Sequence, residues 1–104
     1  MTLAESIYKL CKQIPKGKIS TYKELGKTLN IKAYQAIGRA LKKNPDPENT
    51  PCFKIIKSNG EIGGYAGKIT GKKIEEKIKR LKSEGIEIKQ GKIELSKYLH
   101  RFDN

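Results

Sequence analysis

Apolar residues recur at helical spacing in the first part of the chain, between residues 3 and 14. This stripe consists of Leu3, Ile7, Leu10, Cys11 and Ile14. The spacing predicts a first helix over residues 2–13 and places Cys11 in its buried face as a packing residue. Pro15 and Gly17 then interrupt the pattern, so the helix is expected to end before them.

Two shorter helical segments follow, separated by a tight connection. The first opens with TYKE, in which the Thr21 hydroxyl and the Glu24 carboxylate are spaced to bond each other's backbone amides as a capping box. The second is predicted over residues 33–43. Its apolar face consists of Ala33, Ala36, Ile37, Ala40 and Leu41, and its outer face of Tyr34, Gln35, Gly38, Arg39, Lys42 and Lys43. Such a pair, with a basic outer face on the second helix, is typical of a helix-turn-helix.

The second half of the chain combines loops, a strand-like run and one strong helix. Residues 44–51, NPDPENTP, carry three prolines, and they are predicted to form a loop that leads directly to Cys52. The run FKIIKSNGEIGG predicts a β-hairpin with a type I′ turn at Asn59-Gly60. A further helix is predicted over residues 72–84, because its apolar residues again follow helical spacing.

Residues 86–104 are expected to form a second small hairpin and a short tail. Over residues 1–104 the pattern predicts one mainly α, winged-helix-like domain, with three helices, a helix-turn-helix and small β-hairpins.

No apolar run reaches the roughly 18 residues of a membrane span, and MTLAESIYKL lacks the pattern of a signal peptide. Two distant cysteines and one histidine match no disulfide or zinc spacing. We therefore expect an intracellular, cytoplasmic protein without metal or cofactor.

Charge adds the strongest single signal. The 104 residues include 23 Lys and Arg against 11 Asp and Glu, a net charge of +12. Between Lys9 and Lys43 there are ten basic residues and one acid, Glu24. A generic lysine-rich surface, such as that of thermophilic proteins, would usually carry matching acids. A field of one sign attracts a polyanion, so the pattern favours a nucleic acid as partner.

The residues around Cys52 allow two interpretations of its role, as a nucleophile or as a structural cysteine. A nucleophilic cysteine needs its thiolate, and at an ordinary pKa only a few per cent is thiolate near neutral pH. The neighbouring sequence offers Lys54 and Lys57 but no histidine that could take the proton. Free cysteine is among the most buried residue types, so local chemistry alone favours a structural cysteine.

Five segments, taken together and in order, favour the interpretation of Cys52 as a nucleophile. They are IPKGKISTYKELGKTL, AIGRALKKNP, PCFKII, SNGEIGGYAG and SEG. Each is weak alone, but the ordered set resembles the DNA-binding, active-site domain of the O6-alkylguanine-DNA alkyltransferase family. These are the methylated-DNA–protein-cysteine methyltransferases and their alkyltransferase-like relatives. The resemblance covers residues 3–85. It implies a protein that flips a damaged guanine out of the duplex and transfers its alkyl group irreversibly to a cysteine.

The resemblance also implies roles for individual residues. Cys52 matches the alkyl acceptor, and Glu84 matches the end of a hydrogen-bond relay. Tyr22 matches a tyrosine that crowds the target phosphate, and Asn44 an asparagine that supports the active-site loop. The substrate-binding residues would be Tyr65, which closes over the flipped base, and Pro47, Gly64 and Ser58. The DNA-binding residues would be Thr21, Tyr22, Tyr34, Gln35, Gly38, Arg39, Lys42 and Lys43.

The partner that this resemblance implies is double-stranded DNA, preferentially alkylated, with the helix over residues 33–43 in the minor groove. A monomer is expected, and downstream repair proteins are further candidate partners.

Two positions depart from the family. The acceptor motif Pro-Cys-His-Arg-Val reads Pro-Cys-Phe-Lys-Ile here, so Phe53 stands where a histidine links the cysteine to the glutamate. Gln35 stands where the family has an arginine that fills the space of the flipped base.

Three hypotheses follow. The first is an active but slow alkyltransferase, because the family's site residues are retained: Cys52, Tyr22, Asn44, Tyr65 and Glu84. Loss of a general base lowers the reaction rate by about 10²–10⁴-fold. A protein that reacts only once tolerates such a loss. Lys54 or the bound DNA would then activate the thiol, with His100 as a less favoured base. The second is a non-catalytic alkyltransferase-like protein that passes lesions to other repair machinery, motivated by the missing histidine and the short chain. The third is a plain winged-helix-like DNA-binding module.

Overall fold

The computed structural model describes residues 2–63 and 71–102, and its elements are mainly helical. They are α1 (Leu3–Gln13), β1 (Ser20–Thr21), α2 (Tyr22–Leu29), α3 (Tyr34–Lys42), a short 3₁₀ helix (Cys52–Lys54), β2 (Ile55–Ile56), α4 (Lys72–Ser83) and α5 (Leu95–Tyr98). We call the 3₁₀ helix the cysteine turn. The predicted mainly α fold with a helix-turn-helix is confirmed.

The first helix has the capping box that the sequence suggested for the second. The Thr2 hydroxyl accepts from the Glu5 amide at 3.1 Å, and the Thr2 amide donates to the Glu5 carboxylate at 3.2 Å. At α2 the Thr21 hydroxyl accepts from the Glu24 amide at 3.2 Å. Within the described part of the chain, the Glu24 carboxylate accepts no hydrogen bond from the Thr21 amide. One of the two hydrogen bonds of the predicted capping box is therefore present. Cys11 is fully buried, as predicted.

The helix-turn-helix depends on one close approach. Asn30 ends α2 in the left-handed conformation, with a φ of 57°, and the Ile31 amide donates to the Gly26 carbonyl at 2.8 Å. A Cβ on Gly26 would lie 2.6 Å from the Ile31 carbonyl oxygen and 2.7 Å from the Tyr34 ring. Only glycine therefore allows α2 and α3 to meet in this way. Of the apolar face of α3, Ile37 is fully buried.

Within the described residues, the predicted hairpin FKIIKSNGEIGG is reduced to its turn, in which the Lys57 amide donates to the Glu61 carbonyl at 2.9 Å and the Gly60 amide to the Lys57 carbonyl at 3.0 Å. β2 instead pairs in parallel with β1, with Ser20 opposite Ile55 and Thr21 opposite Ile56. Both residues of each strand are buried, a pattern that suits a covered parallel pair better than a half-exposed hairpin. Gly60 has a φ of 93° but Asn59 is not left-handed, so the turn there is not type I′.

The second predicted hairpin is present near the C-terminus. Lys89 and Lys92 exchange backbone hydrogen bonds of 2.9 and 3.0 Å across Gln90 and Gly91, whose φ values of 52° and 75° are the combination that a type I′ turn requires. The following segment runs beside β1, where the Ile19 amide donates to the Tyr98 carbonyl at 2.9 Å. Among residues 2–63 and 71–102, no helix has the length and apolar character needed to cross a membrane.

Candidate active site and DNA interface

Cys52 is the first residue of the cysteine turn and is held by the loop before it. Its side chain is buried, and its amide donates to the Thr50 carbonyl at 2.7 Å. The Asn44 side-chain amide also donates to the Thr50 carbonyl, at 2.9 Å, and its oxygen accepts from the Asp46 amide at 3.0 Å. Asn44 therefore ties together both ends of the loop that positions the thiol.

A small cavity of about 70 Å³ lies beside the cysteine. Its walls are formed by Leu41, Lys42, Asn44, Pro47, Cys52, Lys73 and Glu76. The structure thus brings together three residues that the resemblance assigned to the acceptor and its pocket, namely Cys52, Asn44 and Pro47. Ser58 lies in the exposed turn after β2 and is not among these walls. Tyr65 and Gly64 lie outside the described residues.

Glu84 is engaged by Lys54 rather than by the residue next to the cysteine. The Lys54 ammonium lies 2.8 Å from the Glu84 carboxylate. It also donates to the Pro15 carbonyl at 3.2 Å, and the same Glu84 oxygen accepts from the Gly17 amide at 3.0 Å. The ammonium that the sequence suggested as an activator of the thiol is thus part of a largely buried ion pair with Glu84.

Phe53 is buried, and the cationic groups of Arg80 and Lys54 both lie near its ring. The Arg80 guanidinium carbon lies 4.5 Å from the ring centroid, and the Lys54 ammonium lies 5.9 Å from it. The Arg80 guanidinium also donates to the Pro47 carbonyl at 3.3 Å. A phenyl ring takes no proton, so position 53 serves packing and cation–π contact rather than proton transfer.

Lys77 is the residue that sequence reasoning missed. It is only 1% exposed, and its ammonium donates to the Ile55 carbonyl at 2.9 Å and the Ile62 carbonyl at 2.7 Å. Burial lowers the pKa of Lys77 to about 8, while the charge of Cys52 acts in the opposite direction. The signal was its place three residues after Ile74 and four before Leu81, on the inward stripe of α4.

The other groups that interact electrostatically with Cys52 are held in their protonated forms. Burial raises the pKa of the Cys11 thiol to about 12, and the charge of Cys52 adds to the rise. Burial and then Cys52 also raise the pKa of Tyr8 and of Tyr22. Among the described groups whose pKa responds to Cys52, Lys77 is the one that is a cation when protonated.

The predicted DNA contacts lie on α2 and α3. Thr21 caps α2 and is buried, and Tyr22 begins that helix half-buried. The outer residues of α3 form a shallow depression lined by Gln35, Gly38, Arg39 and Lys42. Tyr34 is 47% exposed, and Lys43 is exposed. A Cβ on Gly38 would meet no atom within 4 Å, so the surface there is open to a close-fitting partner.

Comparison with known proteins identifies the class. The model of the 6-O-methylguanine DNA methyltransferase, DNA binding domain, matches residues 2–86, and the chain belongs to this family. A bifunctional methyltransferase/endonuclease of Picrophilus torridus is 46% identical over 99 residues, which are 94% of this chain and 31% of that protein. A DNA base-flipping protein of Vibrio parahaemolyticus is 37% identical over 94 residues, 88% of this chain and 89% of that protein.

The fold is shared with a solved member of the alkyltransferase-like group. S. pombe Atl1, in complex with damaged DNA containing O6-carboxymethylguanine, superimposes with a TM-score of 0.82 at 25% identity, covering 96% of this chain and 95% of that one. Family membership and fold are thus established, and the family contains both proteins named as methyltransferases and proteins named for base flipping.

Proposed function

We propose that this protein binds double-stranded DNA containing O6-alkylguanine, flips the damaged base and transfers its alkyl group to Cys52. The observation that supports this most directly is the position of Cys52, at a cavity bounded by Asn44 and Pro47, with Lys77 as the buried cation in its surroundings.

The chemical step is a displacement at the alkyl carbon. The Cys52 thiolate attacks that carbon, the S–C bond forms, and the bond from carbon to guanine O6 breaks. The electron pair stays on the guanine, which takes up a proton and becomes the normal base. The protein ends as a stable thioether, so each molecule reacts once.

DNA binding follows from the exposed cations and small residues of α3. Arg39, Lys42 and Lys43 would neutralise backbone phosphates. Gly38 would allow close approach in the minor groove, and Tyr34 or Gln35 would occupy the space of the flipped base. Thr21 and Tyr22 lie at the N-terminus of α2, where backbone amides and the helix dipole favour a phosphate.

A second candidate function rests on the contacts of Glu84. Its carboxylate is bound by Lys54 and by the Gly17 amide, and Phe53 offers no proton acceptor, so the relay of the family is interrupted. A protein built this way would recognise alkylated bases without repairing them and would leave the lesion to other repair proteins.

Intact-mass spectrometry after incubation with a duplex containing one O6-methylguanine separates the two candidates. We expect the wild-type chain to gain one methyl group, the Cys52→Ala variant to gain none, and the Cys11→Ala variant to behave as wild type. Lesion binding is measured in the same samples by competition with the unmodified duplex. Preferential binding without a mass gain would replace the first candidate by the second. Absence of a mass gain together with no preference for the lesion would overturn both.

A further inference from the structure

Among the described residues, the Arg80 guanidinium contacts both the cysteine turn and the loop before it, and so connects the two. Its planar group lies over the buried Phe53 ring at 4.5 Å, and one nitrogen donates to the Pro47 carbonyl at 3.3 Å. Pro47 in turn forms one wall of the cavity that contains Cys52. One side chain of α4 is therefore bonded to the middle of the loop and packed on the residue next to the acceptor.

We propose that Arg80 is a positioning residue that fixes the Pro47 wall and thereby sets the size of the alkyl group accepted at Cys52. The proposal rests on the proposed function, because it concerns the lesion that this cavity would receive. Phe53 then has a role of its own: its ring is the platform on which Arg80 is held.

Arginine is suited to this double contact in a way that lysine is not. Its guanidinium is planar and can stack on an aromatic face while its edge nitrogens donate hydrogen bonds. The helix that carries it is firmly anchored, because Leu81 is fully buried and Lys77 is only 1% exposed. A side chain on a rigid helix can hold a loop in place more accurately than contacts within the loop.

The loop itself is held mainly at its ends and by internal bonds. Asn44 bonds the Thr50 carbonyl, the Thr50 amide donates to the Asp46 carbonyl at 2.8 Å, and the Asn49 side chain donates to the Asp46 carboxylate at 3.1 Å. These bonds keep the loop closed but do not attach Pro47 to a helix. Arg80 supplies that attachment.

The size of the cavity indicates what this wall excludes. Its volume is about 70 Å³, whereas an apolar cavity of about 150 Å³ is known to hold a benzene ring. A methyl group fits the smaller space, and we expect a benzyl group to displace the Pro47 wall. Arg80 opposes that movement, so its loss is expected to favour bulky lesions over methyl.

The test compares the affinities of wild type, Arg80→Ala and Arg80→Lys for three duplexes of one sequence. These contain guanine, O6-methylguanine or O6-benzylguanine, and each variant also carries Cys52→Ala so that no transfer occurs. We expect Arg80→Ala to raise benzyl relative to methyl affinity by about tenfold, the scale on which a pocket discriminates by size. Arg80→Lys is expected not to restore the wild-type ratio, and Lys79→Ala, an exposed neighbour, should leave it unchanged.

Phe53→Leu provides a second variant, since it removes the aromatic platform while leaving Arg80 in place. It is expected to change the ratio in the same direction as Arg80→Ala, and affinity for the guanine duplex should be unaltered in both. A preference for lesions combined with an unchanged benzyl-to-methyl ratio in both variants would overturn the role of Arg80 and leave the proposed function intact. Equal affinity of the Cys52→Ala protein with Arg80 intact for all three duplexes would overturn the size selection, and equal affinity combined with no methyl gain by the wild-type chain would overturn the proposed function as well.

Discussion

The Lys54 ammonium and the Glu84 carboxylate are 2.8 Å apart, and their side chains are only 5% and 17% exposed. The pair joins the cysteine turn to the C-terminal end of α4. Bonds from Lys54 to the Pro15 carbonyl and from the Gly17 amide to Glu84 extend it to the connection between α1 and β1. A glutamate that the family resemblance placed in a proton relay is thus part of a closed ion pair.

The first prediction is that breaking this pair from one side destabilises the protein. Lys54→Met leaves a largely buried carboxylate without its cation, and we expect a loss of about 3 kcal/mol in the free energy of unfolding. Urea denaturation measures it. Lys73→Met is the matched control, because Lys73 and Glu76 are 3.7 Å apart and about half exposed; it should cost less than about 0.5 kcal/mol. Equal effects of the two substitutions would show that burial of the pair is unimportant.

The second prediction concerns the position next to the acceptor. Phe53→His restores the family's residue but not its partner, since Glu84 remains bound to Lys54. We expect the rate of methyl transfer to change less than about threefold, against the 10²–10⁴ that a working general base contributes. Single-turnover kinetics with an O6-methylguanine duplex give the rate. An acceleration of a hundredfold in Phe53→His alone would mean that Glu84 is available after all.

The third prediction uses the buried lysine of α4. The pKa of Lys77 is about 8 in the folded protein, below its ordinary 10.5, so the unfolded chain binds more protons between these values. The contribution of Lys77 to the free energy of unfolding therefore rises with pH through this window, by about 3 kcal/mol. Lys77→Met should remove that rise, whereas Lys79→Met, on the exposed side, should keep it. Denaturation curves at pH 7 and pH 10 measure the difference, and parallel changes in all three proteins would contradict it.

The fourth prediction contrasts two glycines of the helix-turn-helix. Gly26→Ala places a methyl group against the Ile31 carbonyl and the Tyr34 ring, and we expect a loss of about 2 kcal/mol of stability. Gly38→Ala meets no neighbour and should stabilise α3 by about 0.5–1 kcal/mol. Because Gly38 faces the proposed DNA, the same change should nevertheless weaken binding. Thermal unfolding and DNA titration of the two variants provide both readouts; unweakened binding by Gly38→Ala would place the DNA elsewhere.

The fifth prediction is electrostatic. If Arg39 and Lys42 each neutralise a phosphate, Arg39→Ala or Lys42→Ala should reduce the slope of log affinity against log salt by about 0.9. Lys89→Ala, in the C-terminal hairpin, serves as the control and should leave the slope unchanged. Titrations at several salt concentrations give the slopes. A wild-type affinity that does not depend on salt would contradict DNA binding itself.

Helical periodicity predicted most of the fold correctly because α1, α3 and α4 carry regular apolar stripes. It placed α3 over residues 33–43, and the helix spans Tyr34–Lys42. The pairing of β2 was not predictable in the same way. Two consecutive buried isoleucines are compatible with either a hairpin or a parallel neighbour, and Ser20 and Thr21 do not look like a buried strand in the sequence.

The sequence predicted those residues of the candidate site that the order and spacing of motifs could place. Cys52, Asn44 and Pro47 lie together. Cys52 and Asn44 belong to the segments that carried the resemblance, and Pro47 lies in the loop between two of those segments. Lys77 was missed because a lysine on an inward stripe is ordinarily counted as surface. The partner of Glu84 could not be inferred either, since no local pattern distinguishes a lysine that reaches across the fold from one that points to solvent.

The parallel pairing of β1 and β2 limits how this protein could be divided. Thr21 directly precedes α2, and Ile55 directly follows the cysteine turn, so a two-residue ladder joins the helix-turn-helix to the part of the chain that contains Cys52. A segment containing only α1 to α3 would leave Ser20 and Thr21 without their partner strand. The helix-turn-helix therefore could not be transferred alone to another protein, because the strand that pairs with Ser20 and Thr21 follows Cys52 in the sequence.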